Sequence, residues 1–291
     1  MIHVSVLPNE VLTLLDPQPG QTFVDCTVGL GGHTRLIAER VGPTGRVIGL
    51  DQDPAMLAIA AERSKGLPID FVHANFENLQ QSLRRLKVER VDGILADLGF
   101  CSDQIADPQR GFSFQTDGPL DMRLDPTNGE PASAMLRRLH EREIADVIYQ
   151  YGEERHSRRI AREIIARRKT DPLETTGQLA ELVRRCVPRG KHHSIDPATR
   201  TFQALRIAVN DEIGVLERFL TSLPYCLNAG GRAAIISFHS LEDRLVKHAF
   251  REKETWAVLT KKPVTASEEE MASNSRSRSA KLRAATLVQQ G

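Results

Sequence analysis

A glycine-rich corner between two apolar runs indicates the fold class of this chain. In FVDCTVGLGGHTRLIAERVGPTGRVIGLDQDP, residues 23–54, one apolar run ends at Asp25 and three glycines follow within four positions. A helical pattern comes next, and a second apolar run ends at Asp51. Apolar runs that alternate with amphipathic helical patterns predict parallel strands joined by helical crossovers. We therefore predict an α/β fold with a doubly wound sheet.

This alternation continues to Gly99 and then stops. Residues 103–131 are loop-like and rich in Asp, Gly and Pro, and a mainly helical stretch follows from Ala132. Strand character returns only in GRAAIISFHS, and WAVLTKKPV and AATLVQQ have the pattern of closing strands, as in a hairpin. We predict a helical domain inserted into the sheet domain. The predicted parts are residues 1–105, 106–204 and 205–291.

Composition excludes several classes of protein. Of the 291 residues, 40% are apolar and 26% are charged, which is typical of a globular protein. No apolar run approaches the roughly 20 residues that cross a bilayer, and the N-terminus lacks a signal-peptide pattern. We expect a cytoplasmic protein without a membrane partner. The four scattered cysteines form no C-x-x-C pair, and the aspartates of residues 103–125 match no EF-hand spacing, so we predict no metal site.

The distribution of charge is more informative than the formal net charge of +1. Between Glu153 and Lys191 there are 11 Lys/Arg and 6 Asp/Glu, and the tail carries a second basic cluster in SRSRSAKLR. Such clusters are either solvated faces or surfaces that match a phosphate backbone. Composition alone leaves both interpretations open.

The glycine corner matches no complete nucleotide fingerprint. A P-loop is excluded because no Gly-Lys-Ser/Thr follows, and Thr34 occupies the third position of the dinucleotide pattern that Gly29 and Gly31 begin. Asp51 lies 20 residues after Gly31, where a carboxylate suits a ribose diol. The corner also suits a tight turn and close helix packing, which need no ligand.

An ordered set of strand ends favours S-adenosylmethionine. Asp25, four residues before the first glycine, is typical of sites that receive the amino-acid end of this cofactor. Asn75 and Phe76 close the third predicted strand, where an adenine can stack, and Asp97 closes the fourth. Ligands of open α/β sheets bind at the carboxyl ends of strands, where all of these residues fall.

Longer blocks then resemble one bacterial family. GLGGHT, DLGFCSDQ, RGFSF, DGPLDMRLD, TRTFQALRIAVNDE, ISFHSLEDR and SRSAKLR closely resemble the signature blocks of the 16S rRNA (cytosine-1402-N4) methyltransferases. The resemblance implies a Rossmann-like class I S-adenosylmethionine-dependent methyltransferase sheet with an inserted helical domain. It implies methylation of a cytosine amine in the decoding region of the small ribosomal subunit. The cofactor residues that it implies are Gly31, Gly32, His33, Asp51, Phe76, Asp97 and Gln104.

Some positions depart from the family pattern. Phe100 and Cys101 replace an aliphatic residue and Ser, Gln109 replaces the Asp of DRGFSF, and Ser275 replaces the Pro of NPRSRSA. None of these is an implied cofactor position. The first departure leaves the shape of the pocket beside Asp97 open.

The reaction would be an in-line displacement in which positioning supplies most of the catalysis. DLGF, which begins at Asp97, is similar to the Asp-Pro-Pro-aromatic segment of amino-methyltransferases, although both prolines are missing. Asp97 is therefore a candidate acceptor for the amine protons, or it serves the cofactor alone. His239 is a second candidate acceptor or a structural residue, and Cys101 would be a nucleophile only in a C5-cytosine mechanism.

Basic residues of the predicted insert are candidates for phosphate contacts. In RHSRRIAREIIARRK, helical spacing places Ile160, Ile164 and Ile165 inward and the arginines outward. A nicotinamide dehydrogenase and an RNA-binding assembly factor without turnover remain as alternatives. The predicted contacts to 16S rRNA are Arg158, Arg159, Arg162, Lys191 and Arg200.

Overall fold

The computed structural model describes residues 5–188 and 196–288, which form two compact units. The first comprises the chain up to Cys101 and again from Ile213, and the second comprises Ser102 to Glu212. The second unit is thus an insertion in the first, and the predicted insert, residues 106–204, falls inside it.

Seven strands of the described residues form one sheet in the first unit. They are β1 (Thr22–Asp25), β2 (Arg46–Asp51), β3 (Ile69–His73), β4 (Val91–Asp97), β5 (Leu227–Ser237), β6 (Trp256–Val258) and β7 (Lys281–Leu287). The order across the sheet is β3-β2-β1-β4-β5-β7-β6. β1 to β5 pair in parallel, whereas β7 is antiparallel to both of its neighbours. The predicted α/β sheet is confirmed.

Helices of both units follow amphipathic patterns, but the short helix Ser102–Ala106 falls largely in the stretch that we expected to be loop-like. They are α1 (Pro8–Leu15), α2 (Gly32–Val41), α3 (Pro54–Arg63), α4 (Leu79–Arg85), α5 (Ser102–Ala106), α6 (Ala132–Arg138), α7 (Glu141–Gly152), α8 (Ser157–Arg167), α9 (Thr176–Cys186), α10 (Ala198–Val209), α11 (Glu212–Ser222), α12 (Ser240–Ala249) and α13 (Glu268–Ser273). Among the described residues, no helix has the length and apolar character needed to cross a membrane.

Continuous apolar runs form the central strands because helices cover both faces of a parallel sheet. Val47, Ile48 and Leu50 of β2 are fully buried, although successive side chains point to opposite faces. The two closing strands pair with each other as predicted, but not through a tight turn. Residues 259–280 join them and contain α13.

The order of the strands reverses at β1, whose neighbours are β2 and β4. Asp25 at the end of β1 is in register with Gly49 of β2 and Leu95 of β4. Such a switch point opens a crevice outside the carboxyl ends of the strands, and ligands of this fold class bind there. The acid-tipped strands therefore converge on the expected site.

The inserted unit has its own core of helices α6 to α10. In α9, the predicted apolar face is buried, including Leu179 and Val183. In α8, Ile160 and Ile164 are buried as predicted, whereas Ile165 is half-buried.

Candidate active site

The glycine corner between β1 and α2 requires glycine for its backbone. Gly29 and Gly31 have φ angles of 52° and 84°, in the left-handed region that side chains disfavour. A Cβ on Gly31 would also lie 3.2 Å from Cβ of Ala60 in α3. The turn and the close helix packing thus explain these glycines, whether or not a ligand binds.

Asp51 links the end of β2 to this corner. Its Oδ2 accepts a hydrogen bond from the Gly29 amide at 2.7 Å, and its Oδ1 accepts one from the Asp53 amide at 2.9 Å. Burial raises the pKa of Asp51 to about 6. Because each carboxylate oxygen has more than one acceptor site, Asp51 retains capacity for the hydroxyls of a ribose.

Asp25 is buried beside the corner and is bound by the chain itself. Its Oδ2 accepts a hydrogen bond from the Thr34 hydroxyl at 2.6 Å, and its Oδ1 accepts one from the Thr27 amide at 3.1 Å. Burial, with smaller contributions from the nearby charges of Asp97 and Asp51, raises the pKa of Asp25 to about 7. Thr34, which breaks the dinucleotide fingerprint, therefore has a structural role as the hydrogen-bond donor to Asp25. The sequence pattern did not indicate this role.

Asp97 at the end of β4 has a carboxylate oxygen available to a ligand. Its backbone amide donates to the Thr27 hydroxyl at 2.6 Å, while Oδ1 is buried and makes no hydrogen bond to any described residue. An unpartnered buried acceptor has a free-energy cost that a ligand donor would remove. This oxygen fits a site for a cofactor or substrate N–H group.

Arg276 reaches the same carboxylate from the C-terminal segment. Its Nη2 lies 3.9 Å from Asp97 Oδ1, and its guanidinium carbon lies 4.7 Å from the centroid of the Phe238 ring. Only 14% of the Arg276 side chain is exposed. No spacing rule relates Arg276 to Asp97, so the sequence alone does not predict this pair.

The basic tail is only partly a solvent-exposed cluster. Arg283 of β7 is buried, and its Nε donates to Asp243 Oδ1 of α12 at 2.7 Å. With Arg276, two of the four cations in SRSRSAKLR are therefore internal ion-pair partners. The interpretation of the whole tail as a solvated or phosphate-binding cluster is wrong for these two. The apolar neighbours of Arg283 in the sequence were a signal that it lies in a buried strand.

His239 caps helix α12. Its Nδ1 accepts a long hydrogen bond from the Glu242 amide at 3.4 Å, and the Glu242 carboxylate accepts from the His239 amide at 3.2 Å. This reciprocal capping box satisfies amides at the start of the helix. The structure thus gives His239 a structural role, and its role as a proton acceptor stays a prediction.

The remaining predicted cofactor residues lie in different surroundings. Phe76 follows β3 and packs edge-on against Phe219, with 5.1 Å between ring centroids. Gly32 begins α2, where a Cβ would lie 2.0 Å from Ser5 Oγ, and the adjacent His33 is buried. Gln104 is buried on α5 of the inserted unit.

The predicted rRNA contacts are exposed where the structure describes them. Arg158, Arg159 and Arg162 lie on the outer face of α8, and Arg200 lies on α10. Lys191 is outside the described residues. Arg168, also predicted to point outward, is half-buried and donates to the carbonyls of Leu136 and Leu139 at the end of α6. That expectation is wrong because the arginine satisfies helix-end carbonyls.

Comparison with known proteins supports the resemblance found in the sequence. The chain is 50% identical over 298 residues to "Ribosomal RNA small subunit methyltransferase H" of Rhodopirellula baltica, covering 99% of this chain and 92% of that protein. It is 51% identical over 288 residues to the protein of the same name from Sorangium cellulosum, covering 98% and 91%. The chain also resembles a crystal structure of a Clostridium thermocellum protein, with a TM-score of 0.50 and 12% identity. The match covers 99% of this chain and 100% of that one, and at this identity it supports the fold alone.

The match to a protein family extends over nearly the entire chain. The family described as "MraW methylase family" matches residues 1–288, a range that includes both units and all of the candidate site residues. By this match and by these relatives, the chain belongs to the MraW methylase family.

Proposed function

We propose that this protein methylates the exocyclic N4 amine of a cytosine in the decoding region of 16S rRNA, with S-adenosylmethionine as the methyl donor. The observation that carries the proposal is the convergence of the Asp25, Asp51 and Asp97 carboxyls at the switch point, in a chain of a methylase family. The names of the relatives describe them as methyltransferases of the small-subunit ribosomal RNA.

The candidate residues suit the parts of this cofactor. Asp51 would bind the ribose hydroxyls, Phe76 would contact the adenine, and Gly31 and Gly32 would allow close approach of the backbone. The carboxyl of Asp25, which lies near Asp97, suits the cationic amino-acid end. His33 and Gln104 are carried over from the family resemblance. When bound, S-adenosylmethionine supplies an electrophilic methyl carbon on a sulfonium.

The protein must make a poor nucleophile reactive. The lone pair of the cytosine amine is delocalised into the ring, and acceptors for its N–H hydrogens favour a pyramidal nitrogen. We assign this role to Asp97, whose Oδ1 is buried and has no hydrogen-bond partner among the described residues. Asp97 would hold the N–H groups and take up a proton as the nitrogen is methylated.

Two variants test this assignment. If Asp97 accepts the proton, Asp97→Asn retains binding of S-adenosylmethionine in isothermal titration but loses methylation. Loss of both would show that Asp97 serves the cofactor. The covalent C5 alternative needs Cys101, which is buried with Sγ 3.5 Å from Met56 Sδ. Full activity of Cys101→Ser would exclude it.

Contacts to the substrate are assigned to the insert. Arg158, Arg159, Arg162 and Arg200 present exposed guanidinium groups, and Lys191 completes the predicted set. Arginine contacts to phosphates would give salt-dependent binding with limited sequence readout. The target cytosine would have to leave its stack to reach the methyl donor.

The decisive experiment uses small ribosomal subunits from a strain that lacks this enzyme. Incubation with the protein and S-adenosylmethionine should add one methyl group, which mass spectrometry of rRNA fragments should assign to N4 of one cytosine. An RNA-binding assembly factor would bind the subunits without adding a methyl group. Heat release in titration with NAD, but not with S-adenosylmethionine, would favour the nicotinamide alternative.

A further inference from the structure

A small basic cavity lies on the sheet unit, between α12 and the edge strand β6. Its volume is about 230 Å³, and it is lined by Lys247, Phe250, Arg251, Val258, Thr260, Lys261 and Arg283. Ligand pockets for small organic molecules have volumes of roughly 300–1,000 Å³, so this cavity suits a smaller group. None of its residues belongs to the proposed methyl-transfer site.

Among the residues that the structure describes, three of the cavity's cations have no acidic partner. Lys247, Arg251 and Lys261 form no ion pair with any carboxylate in the described part of the chain, and Arg251 and Lys261 are exposed. The fourth cation, Arg283, is bound to Asp243, whose carboxylate also lies 3.6 Å from Lys281. Asp243 is therefore already compensated by two cations, and the residues that line the cavity include four cations and no acid.

Helix-end stabilisation explains only part of this cluster. Lys247 lies in the last turn of α12, where a cation is favoured by the helix dipole. Lys261 comes from a different segment, after β6, and does not take part in that interaction. Cations that converge from two segments repel each other unless an anion lies between them.

We propose that this cavity binds a backbone phosphate of the substrate RNA, away from the base that is methylated. The inference rests on the proposed function. Lys247 is eight residues beyond His239, or roughly 12 Å along α12 from the carboxyl edge of the sheet at 1.5 Å per residue. The bound phosphate would therefore belong to a nucleotide other than the target.

The surroundings of the cavity suit a nucleotide strand. Val258 and Leu259, at and just after the end of β6, are 41% and 42% exposed and can contact the sugar beside a bound phosphate. The hydroxyl of Thr260 is held by Ala284, since it accepts from the Ala284 amide at 3.0 Å. Recognition would therefore come from charge rather than from base contacts, and the site would be independent of sequence.

The test compares two triple variants of the full-length protein. One is Lys247→Gln/Arg251→Gln/Lys261→Gln, and the control is Arg40→Gln/Lys253→Gln/Lys262→Gln, which removes three exposed cations that do not line the cavity. Fluorescence anisotropy with a labelled 16S rRNA transcript measures the affinity at several salt concentrations. Titration with S-adenosylmethionine and thermal unfolding check that each variant is folded.

We expect the cavity variant to bind the transcript roughly 10- to 100-fold more weakly at moderate salt, with a salt slope reduced by about one because one phosphate contact is lost. Its affinity for S-adenosylmethionine should stay within twofold of the wild type, and the control should retain most of its RNA affinity. If the triple variant is unfolded, Lys261→Gln alone should still weaken binding of the transcript and lower the salt slope by up to about one.

Three results would overturn the inference. Equal salt slopes for the cavity variant and the wild type would remove this site while the proposed function stands. Normal binding of the transcript, with activity lost only on assembled subunits, would assign the cavity to a ribosomal protein instead. Failure of the wild type to bind or methylate small-subunit rRNA would remove the proposed function and this inference together.

Discussion

The guanidinium group of Arg276 lies 3.9 Å from Oδ1 of Asp97, although the two residues are far apart in the sequence. Arg276 reaches this position from the segment between α13 and β7, and it lies over the ring of Phe238 on the way. The C-terminal segment therefore forms part of the surroundings of the proposed proton acceptor. The ion pair is largely buried, so solvent screens it less than a surface pair.

Replacing Arg276 tests the importance of this pair. Arg276→Ala should lower the free energy of unfolding by about 1–3 kcal/mol, because it removes a cation–π contact and leaves the Asp97 charge less compensated. Methyl transfer should fall more than the affinity for S-adenosylmethionine. Urea unfolding and a methylation assay measure the two effects. The exposed Arg278 is the control, and Arg278→Ala should change stability by less than about 0.5 kcal/mol.

Asp51 should be a main source of cofactor affinity. Asp51→Asn keeps an acceptor for the Gly29 amide but removes the charge that would bind the ribose hydroxyls. Hydrogen bonds to charged groups contribute about 1.5–3 kcal/mol, so the dissociation constant for S-adenosylmethionine should rise roughly 10- to 100-fold. Isothermal titration measures this change. Asp70→Asn, which alters the exposed ion pair between Asp70 of β3 and Arg46 of β2, should leave the dissociation constant unchanged.

Asp25 should make stability depend on pH in a definite direction. Burial raises its pKa from 3.8 to about 7, so between these values the folded protein retains a proton that the unfolded chain releases. The free energy of unfolding therefore falls as pH rises through this window. Asp25→Asn removes this loss, so its stability relative to the wild type should be about 2–3 kcal/mol more favourable at pH 8 than at pH 5. Urea unfolding of both proteins at the two pH values measures this effect. The same stability difference between variant and wild type at both pH values would contradict a raised pKa for Asp25.

His239 can be tested for capping against proton transfer. Asparagine is a good helix N-cap, whereas alanine is not. We expect His239→Asn to retain methyl transfer within a few-fold and His239→Ala to lose about 1 kcal/mol of stability. Abolished activity in a folded His239→Asn protein would restore the histidine as the proton acceptor.

The arginines of α8 should contribute to RNA binding without affecting the cofactor. Arg158→Gln/Arg159→Gln/Arg162→Gln should weaken binding to a 16S rRNA transcript and reduce the salt slope by about one for each phosphate contact that is lost. Arg142→Gln is a control on neighbouring α7, where the side chain is 93% exposed and lies 3.8 Å from Asp146. Unchanged salt slopes for the triple variant would place the RNA elsewhere.

Local patterns in the sequence were sufficient for the sheet and its acid-tipped edge. Buried parallel strands read as continuous apolar runs, so β1, β2, β4 and β5 and their carboxyl ends were predictable. The third strand was also expected to be buried, which is wrong because β3 lies at the edge of the sheet and is only partly buried. The placement of Asp51 and Asp97 at one site was predictable as well, because the carboxyl ends of parallel strands share one edge of a sheet. The amphipathic face of α9 was predictable for a similar reason, since helical spacing is a local property.

Side-chain pairs between distant segments depended on the tertiary structure. The sequence contained the basic cluster SRSRSAKLR, but not the fact that Arg276 lies beside Asp97 while Arg283 binds Asp243. It likewise contained Thr34 and Arg168, but not their partners Asp25 and the carbonyls that end α6. Strand and helix patterns arise from interactions between near neighbours in the chain, whereas an ion pair is determined by where folding brings two charges together. The sequence therefore determined the fold class and the edge that carries the site, and only the tertiary structure decided which cations are compensated inside the protein and which remain available for a phosphate.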